Sequence, residues 1–395
     1  MKILKSNKSK CSLFLLLCIS LSCFAATEPQ EKPEKKEESL FIDEQDGDFD
    51  VSKFLASKQG FLPVPIIITG PTFGYGLGVN ALFLHGSLQG KKSKNGHYIP
   101  PGLSGVVAAG TENGTRFAAA YHLGFYLDGD LRSTTFIGAP NANMDFGTKF
   151  GDVNLNFEGY AAYQELKYRV LNSQLFAGFN YTYMQVETKS TDGGEIVDDL
   201  FSRFGDNTYA GLAAVLEYDT RDSIFTPNKG VYAKGVIDFY NQDVGSDSNF
   251  VNYRLKAFYF KPVSEKFILG FRTEFQTISG EDKAPVFMTP SIVLRGISNS
   301  QYIGQSALVA EIEGRYEVAH RHWAVGFTGS GRAYGDYSSA GKTSFSDAKW
   351  HSSYGVGYRY ELARKFKLLA GIDIAKSETD TAFYITVGSA WNAFY

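Results

Sequence analysis

Cysteine is almost missing from this 395-residue chain, and its placement removes what little there is from the argument. The only three, Cys11, Cys18 and Cys23, fall within the first 23 residues. The rest of the chain can therefore hold no disulfide and no thiolate-ligated metal. Histidine is also scarce. The six, at 85, 97, 122, 320, 322 and 351, include no pair at helical metal-ligand spacing. No metal site and no cofactor site can be read from such a set. No Gly-x-Ser-x-Gly occurs, which excludes the nucleophile elbow of the common α/β hydrolases. Asp192-Gly193-Gly194 sits in a polar stretch without a nucleophile partner and reads as a turn. After residue 25 there is no apolar run long enough for a transmembrane helix.

What is present is glycine and aromatic residue: 41 Gly, 24 Tyr and 32 Phe, against only 12 Pro. That balance suits many strands with aromatic ends. The N-terminus carries Lys2, Lys5, Lys8 and Lys10, an apolar run from Leu13 to Leu21, and Cys23-Phe24-Ala25. This pattern reads as a secretory leader over residues 1–25, cleaved at the small-x-small site. Acylation of Cys23 is the alternative, although Ser20-Leu21-Ser22 is a poor approach to it. Without the four leader lysines, 35 of the 39 basic residues remain against 42 acidic ones, a net charge of −7. That balance argues against a nucleic-acid partner.

Residues 26–60 read as an acidic, disordered periplasmic tether. Positions 27–42 are rich in Glu, Lys, Pro and Gln and too poor in apolar residues to order themselves. Asp43-Glu44-Gln45-Asp46-Gly47-Asp48-Phe49-Asp50 lacks the ligand spacing of a calcium loop and reads as a solvated acidic stretch. The domain proper is expected over 61–395.

From Phe73 onward the pattern is strand, short turn, strand, long polar loop. Clear strands are predicted at 73–85, 103–110, 115–127, 153–163, 175–187, 208–218, 231–241, 250–262, 266–278, 306–318, 321–334, 350–362, 366–376 and 382–391, with weaker ones at 131–138 and 164–171. Tight turns such as 262–265, 319–320 and 364–365 alternate with long stretches at 86–102, 188–207, 279–304 and 335–349. The expected architecture is all-β: a transmembrane antiparallel barrel of sixteen strands, or fourteen without the weak ones.

The two-faced alternation of segment 306–318 fits a soluble sandwich or a membrane barrel, and the leader, the aromatic strand ends and the lack of helices favour the membrane. Glu311, Glu313, Arg315 and Glu317 fall on one side, while Ala310, Ile312, Gly314, Tyr316 and Val318 fall on the other. Val251, Tyr253, Leu255, Ala257 and Tyr259 likewise oppose Asn252, Arg254 and Lys256. In a membrane barrel the apolar face meets lipid and the charged face lines the lumen.

Just before that segment lies Val293-Leu294-Arg295-Gly296-Ile297. An Arg-Gly loop followed by Ala-x-x-Glu-x-Glu-x-Arg-Tyr resembles the bacterial surface antigen barrels, the BamA/TamA superfamily of outer-membrane proteins. The resemblance implies a loop folded back inside the barrel, its arginine locked to lumenal residues. Where that family has Phe-x-Asp-x-Gly, this chain has Phe327-Thr328-Gly329-Ser330-Gly331, so the usual acidic partner is missing. The nearest substitutes are Glu311 and Glu313, and the expected lock is Arg295, Gly296, Glu311 and Glu313.

Asp219-Thr220-Arg221-Asp222, then Pro227 and Gly230, is similar to the family's turn between middle strands. Asp219 and Arg221 share a face and can pair, while Pro227 and Gly230 supply the fixed and permissive φ angles. The motif reads as structural. Gly60 to Pro71 resembles the lead-in to the first strand of one branch. Ile385 to Trp391 resembles the closing strand, so Gly388, Trp391 and Tyr395 are the expected signal for the barrel-assembly machinery. The short stretch between leader and barrel implies that the family's POTRA domains are absent.

The resemblance implies outer-membrane localisation, lipid around the barrel, and protein or small-solute translocation or insertion. No cofactor and no catalytic residue is implied. A passive pore or structural surface antigen plugged by its own loop is the alternative. A barrel-embedded hydrolase is a third reading, and it requires a Ser–His or Asp–His pair in space.

Overall fold

Period-two alternation repeated along the chain builds the structure, a computed structural model describing residues 39–57, 60–86, 90–148, 151–190, 206–338 and 341–391. The expected leader, the tether up to residue 38, and Tyr395 lie outside these residues. Sixteen strands form the wall. They are β1 (Gly60–Ile68), β2 (Gly76–His85), β3 (Gly102–Thr111), β4 (Arg116–Tyr126), β5 (Leu131–Thr148), β6 (Gly151–Arg169), β7 (Leu175–Ser190) and β8 (Asp206–Asp219). They continue as β9 (Gly230–Tyr240), β10 (Phe250–Pro262), β11 (Phe267–Gly280), β12 (Ser306–Ala319), β13 (His322–Ser338), β14 (His351–Ala363), β15 (Leu368–Ser377) and β16 (Thr381–Val387). Each pairs antiparallel with its sequence neighbour. Among the described residues no helix is long and apolar enough to cross a membrane.

The barrel is inside-out relative to a water-soluble protein. On β12, Glu311, Glu313 and Arg315 are buried while Tyr316 and Val318 are half exposed. On β10, Tyr253, Leu255 and Tyr259 face outward while Asn252 is buried. Leu77, Val79, Val106, Leu212, Leu216, Val356 and Ile374 continue the outward apolar band. Such a continuous apolar exterior is at home in lipid, not water.

Sixteen strands were expected, but they are divided differently. The segment assigned as a lead-in, Gly60–Ile68, is itself the first strand, in register with β2 from Gly60 opposite Leu84 to Ile68 opposite Gly76. Its two prolines disguise it, because proline lacks the N–H of a ladder. The weak segment 164–171 is no separate strand. It is the second half of β6, where lumen-facing Glu165 and Lys167 interrupt the apolar pattern.

Counting β1 as a strand also moves the loop 86–101 to the opposite end from the one its length implied. It follows an even-numbered strand and shares the end that carries the tight turns. There, Lys94 N donates to Asp128 Oδ2 at 2.7 Å and Asn95 Nδ2 to Asn172 Oδ1 at 3.0 Å. The end with tight turns is here called the turn end, and the other the loop end.

No ladder joins β16 to β1 among the described residues, so the barrel is nearly closed. Pro63 and Pro65 stand opposite Ala81 and Val79. Lacking N–H groups, they occupy the ladder positions turned away from β2, towards the seam. Two successive donors are thus deleted from the seam edge of β1.

The acidic segment corrects a second expectation. Asp43, Asp46 and Asp50 are not solvated but clustered on Arg321, which is fully buried in the tight turn between β12 and β13, while the Glu44 side chain stays exposed and that of Asp48 half exposed. Arg321 Nη2 donates to Asp43 Oδ2 at 2.7 Å, Nε to Asp46 Oδ2 at 2.8 Å and Nη1 to Asp50 Oδ2 at 2.8 Å. Arg364 adds Nε to Asp43 Oδ2 at 2.6 Å. Val51 N donates to Leu362 O at 2.9 Å, and a short helix, Ser52–Ser57, follows. The segment 40–57 is a strap docked on the turn end. The opposite charges that hold it lie more than 270 residues away in sequence.

Candidate functional site

The loop between β11 and β12 folds into the lumen instead of outward. Ile292, Leu294 and Ile297 are buried against Val309, with Tyr302 and Ala333 beside them. Each such side chain contributes about 1.5–3 kcal/mol when withdrawn from water. The floor beneath is flat because β13 presents glycines. A Cβ on Gly329 would lie 2.7 Å from Leu294 Cδ2, and one on Gly331 would lie 2.7 Å from Ile292 Cγ2. The position that carries the family's acid is therefore the socket for the loop's leucine.

Arg295 sits above the ring of Phe327, its guanidinium carbon 3.4 Å from the centroid. Its Nε and Nη2 donate to Glu311 Oε1 at 3.0 and 2.7 Å, and Nη2 pairs with Glu313 Oε2 at 2.8 Å. Nη1 donates to Asp373 Oδ2 at 3.0 Å. Asp373, on β15, was not singled out from the sequence. It is fully buried and also takes a two-pronged contact from Arg359, at 2.8 and 2.7 Å. The available signal was a lone carboxylate between Ile372 and Ile374, on the lumenal parity of its strand. Gly296 N donates to Tyr384 Oη of β16 at 2.8 Å, which ties the loop to the seam strand.

Glu311 is the hub. Its second oxygen accepts from Arg272 Nη1 at 3.0 Å and from the indole Nε1 of Trp391 at 2.8 Å. The closing strand expected through Trp391 in fact ends at Val387. Gly388 takes φ +83°, a left-handed conformation that turns the chain inward. Trp391 then packs in the lumen with Tyr232, Phe258 and Phe260. An indole N–H with a buried carboxylate in reach is better satisfied there than at a lipid-facing strand end. The tail thereby contacts the same carboxylate as Arg295.

The turn motif lies at the turn end. Arg221 clasps its neighbour, Nε to Asp219 Oδ1 at 2.9 Å and Nη2 to Oδ2 at 3.0 Å. Asp222 Oδ1 accepts from the backbone N–H of Asn228 and Lys229. The Pro227 carbonyl accepts from Arg315 of β12, and Ser389 N donates to Phe225 O at 2.6 Å. Gly230 has φ +113°, and a Cβ there would meet Thr220 O at 2.4 Å, so the turn admits only glycine. The motif thus joins β12 and the C-terminal tail at one point.

A Ser–His pair does exist. Ser104 Oγ lies 2.8 Å from His122 Nδ1 and 2.7 Å from His85 Nε2, and His122 Nε2 lies 2.7 Å from the Tyr126 hydroxyl. The cluster is on the outward face near the turn end. The Ser104 backbone is laddered on both sides, and no described donor is placed for a developing oxyanion.

An apolar exterior around a charged lumen, closed by a loop latched on buried carboxylates, defines an outer-membrane β-barrel with an internal plug. The model of the Omp85 superfamily domain matches residues 139–391, more than half of the chain. The chain belongs to the Omp85 superfamily. Among solved structures it is similar to BamA from Haemophilus ducreyi lacking POTRA domains 1–3, with TM-score 0.58 and 10% identity over 84% of this chain and 70% of that one. CdiB from Escherichia coli is similar at TM-score 0.56 and 10% identity, over 84% of this chain and 63% of that one. CdiB from Acinetobacter baumannii follows at 0.53 and 10%, over 83% and 59%. The chain spans less than two thirds of either CdiB. At this identity the likeness is one of fold. No curated protein matches the sequence.

Proposed function

We propose that this barrel inserts or translocates polypeptide substrates at the outer membrane by parting the seam between β1 and β16, with the Arg295 loop keeping the lumen shut meanwhile. The observation that carries the reading is the seam itself, which has no backbone ladder and faces two prolines. The prolines make β1 a poor ladder partner for β16, and the seam edge of β16, which lacks prolines, stays open as a template for an incoming strand. The lock beside it is held firmly: Arg295 pairs with three carboxylates, and Trp391 of the tail behind β16 donates to Glu311. The outward band takes outer-membrane lipid, and the turn end, with its tight turns, faces the periplasm. Biogenesis runs through the barrel-assembly machinery.

The test is the folding rate of an unfolded outer-membrane barrel polypeptide into liposomes containing this protein. Cysteine pairs joining Ile67 of β1 to Ile385 or Val387 of β16, all three on the outward face, supply a seam that can be closed by oxidation. The expected result is accelerated folding that is lost on oxidation and restored by reduction. Acceleration unchanged by a formed cross-link would refute the seam mechanism. A chain that gives no acceleration but conducts steadily once 285–304 is deleted would be the plugged pore.

A further inference from the structure

We propose that the lumen holds a binding site for a phosphate-type oxyanion, formed by Lys234, Lys256 and Arg254 where the lumenal chamber meets the wall of β9 and β10. None of the three is a residue of the Arg295 lock, although Arg295 lines the same chamber.

The first observation is strand register. Lys234 of β9 stands directly opposite Lys256 of β10, and both side chains point into the lumen. Like charges directly opposite on paired strands destabilise a sheet, and the penalty grows away from bulk water. Each lysine has a carboxylate, but neither carboxylate is its own. Lys234 Nζ is 2.8 Å from Glu165 Oε2, while Lys167 holds the other oxygen at 2.7 Å. Lys256 Nζ is 3.6 Å from Glu274 Oε1, the same oxygen that Arg272 Nε holds at 3.0 Å. Arg254 is paired with Asp238 at 2.9 Å but keeps about a third of its side chain open to the chamber (35%).

The second observation is the charge of the networks to which these residues belong. On one side of the site, Lys167, Lys234, Arg132 and Arg221 share Glu165, Glu217 and Asp219, four cations on three carboxylates. On the other, Lys256, Arg272, Arg295, Arg315 and Arg359 share Glu274, Glu311, Glu313 and Asp373, five cations on four. In these ion pairs each set holds one more cation than carboxylates. The networks approach each other where Lys234 faces Lys256.

Third, there is room. A chamber of about 750 Å³ is bordered by Lys234, Arg254, Lys256 and Arg272, with Glu274 the single carboxylate on its wall. A second cavity of about 900 Å³ shares Lys234 and Arg254 with it. The first also reaches β16 and residues 70–73 beside the seam. An oxyanion with two negative charges would neutralise both excesses at once, bridging two ammonium groups and the guanidinium edge of Arg254. A free phosphate-type solute and the phosphate of an anionic lipid present the same chemistry. The chamber's contact with the seam strand leaves both routes open.

The experiment uses the full chain refolded in zwitterionic detergent, with ³²P-pyrophosphate in equilibrium dialysis, and in parallel nanodiscs containing photo-reactive phosphatidylglycerol or phosphatidylcholine. The expected result is saturable binding of pyrophosphate, or specific labelling by phosphatidylglycerol near β9 and β10. Either is weakened at least tenfold in Lys256→Met and retained in Lys256→Arg. Competition of lipid labelling by pyrophosphate assigns both to one site, and labelling without pyrophosphate binding assigns the lipid as the source. Heat-modifiable migration of each variant on gels confirms that the barrel has formed. Where Lys256→Met does not fold, Lys234→Met replaces it. Absence of binding by both probes, or equal binding by wild type and the folded methionine variant, overturns the site.

Discussion

Arg295→Ala is expected to cause the largest single loss of stability in this barrel. The guanidinium meets Glu311, Glu313 and Asp373 within 3.0 Å and has 9% of its side chain exposed. Removing one partner of a buried ionic cluster leaves the remaining charges uncompensated, at about 3–5 kcal/mol. Glu311 keeps Arg272 and Trp391, and Asp373 keeps Arg359, so Glu313 is the group left worst off. The measurement is the temperature at which the folded band of the refolded protein disappears on semi-native gels, together with protease cleavage within 285–304. A lower melting temperature with faster loop cleavage is expected. Arg295→Lys should recover only part of it, because an ammonium cannot reach three carboxylates and cover the Phe327 ring as a planar fork does. Unchanged melting and cleavage would mean that the loop is held by Ile292, Leu294 and Ile297 alone.

Arg321→Ala is expected to free the strap. Asp43, Asp46 and Asp50 would then face one another with only Arg364 and His320 nearby, and like charges at such range repel. Because the strap borders water, the loss is below the about 3–5 kcal/mol of a fully dry cluster. At least a tenfold rise in proteolysis between residues 40 and 57 is expected, since tenfold corresponds to about 1.4 kcal/mol. The barrel's melting should change little.

The same contact depends on pH in both directions. Hydrogen bonding from Arg364 lowers the Asp43 carboxyl. Burial raises Asp46, but hydrogen bonds from His320, the Asp48 amide and Arg321 outweigh it and bring it to about 2. These depressed acids stabilise docking fully above their ordinary value of 3.8, and that part is lost as pH falls towards 2. His320 is raised by its hydrogen bond to Asp46, so its contribution is complete below 6.5 and fades as pH climbs through the raised value. Strap protection against protease should therefore be greatest between about pH 4 and 6.5. A flat profile across pH 3–8 would remove the ionic account of docking.

Several strands could be drawn from the chain because lumen and lipid impose opposite chemistry on alternate residues. That alternation needs no partner to be visible. β12 shows it plainly, with Glu311, Glu313 and Arg315 against Ile312 and Tyr316. β1 did not show itself, because Pro63 and Pro65 hide a strand whose edge faces a seam. β6 looked like two strands because Glu165 and Lys167 sit mid-wall, where only the lumen excuses them.

The sequence carried the two-faced wall in its alternation, and it carried the loop of Arg295 and the turn built on Asp219, Arg221 and Gly230 through their resemblance to the family's motifs. Each of these rests on residues within one strand or one turn. Tertiary structure alone decided what the lock is made of. Arg295 and Asp373 are 78 residues apart, Trp391 and Glu311 are 80, and the strap's aspartates and Arg321 more than 270. Such pairs become neighbours only when the sheet curls round into a nearly closed barrel. A carboxylate then finds its cation by position across the lumen, which no local pattern records.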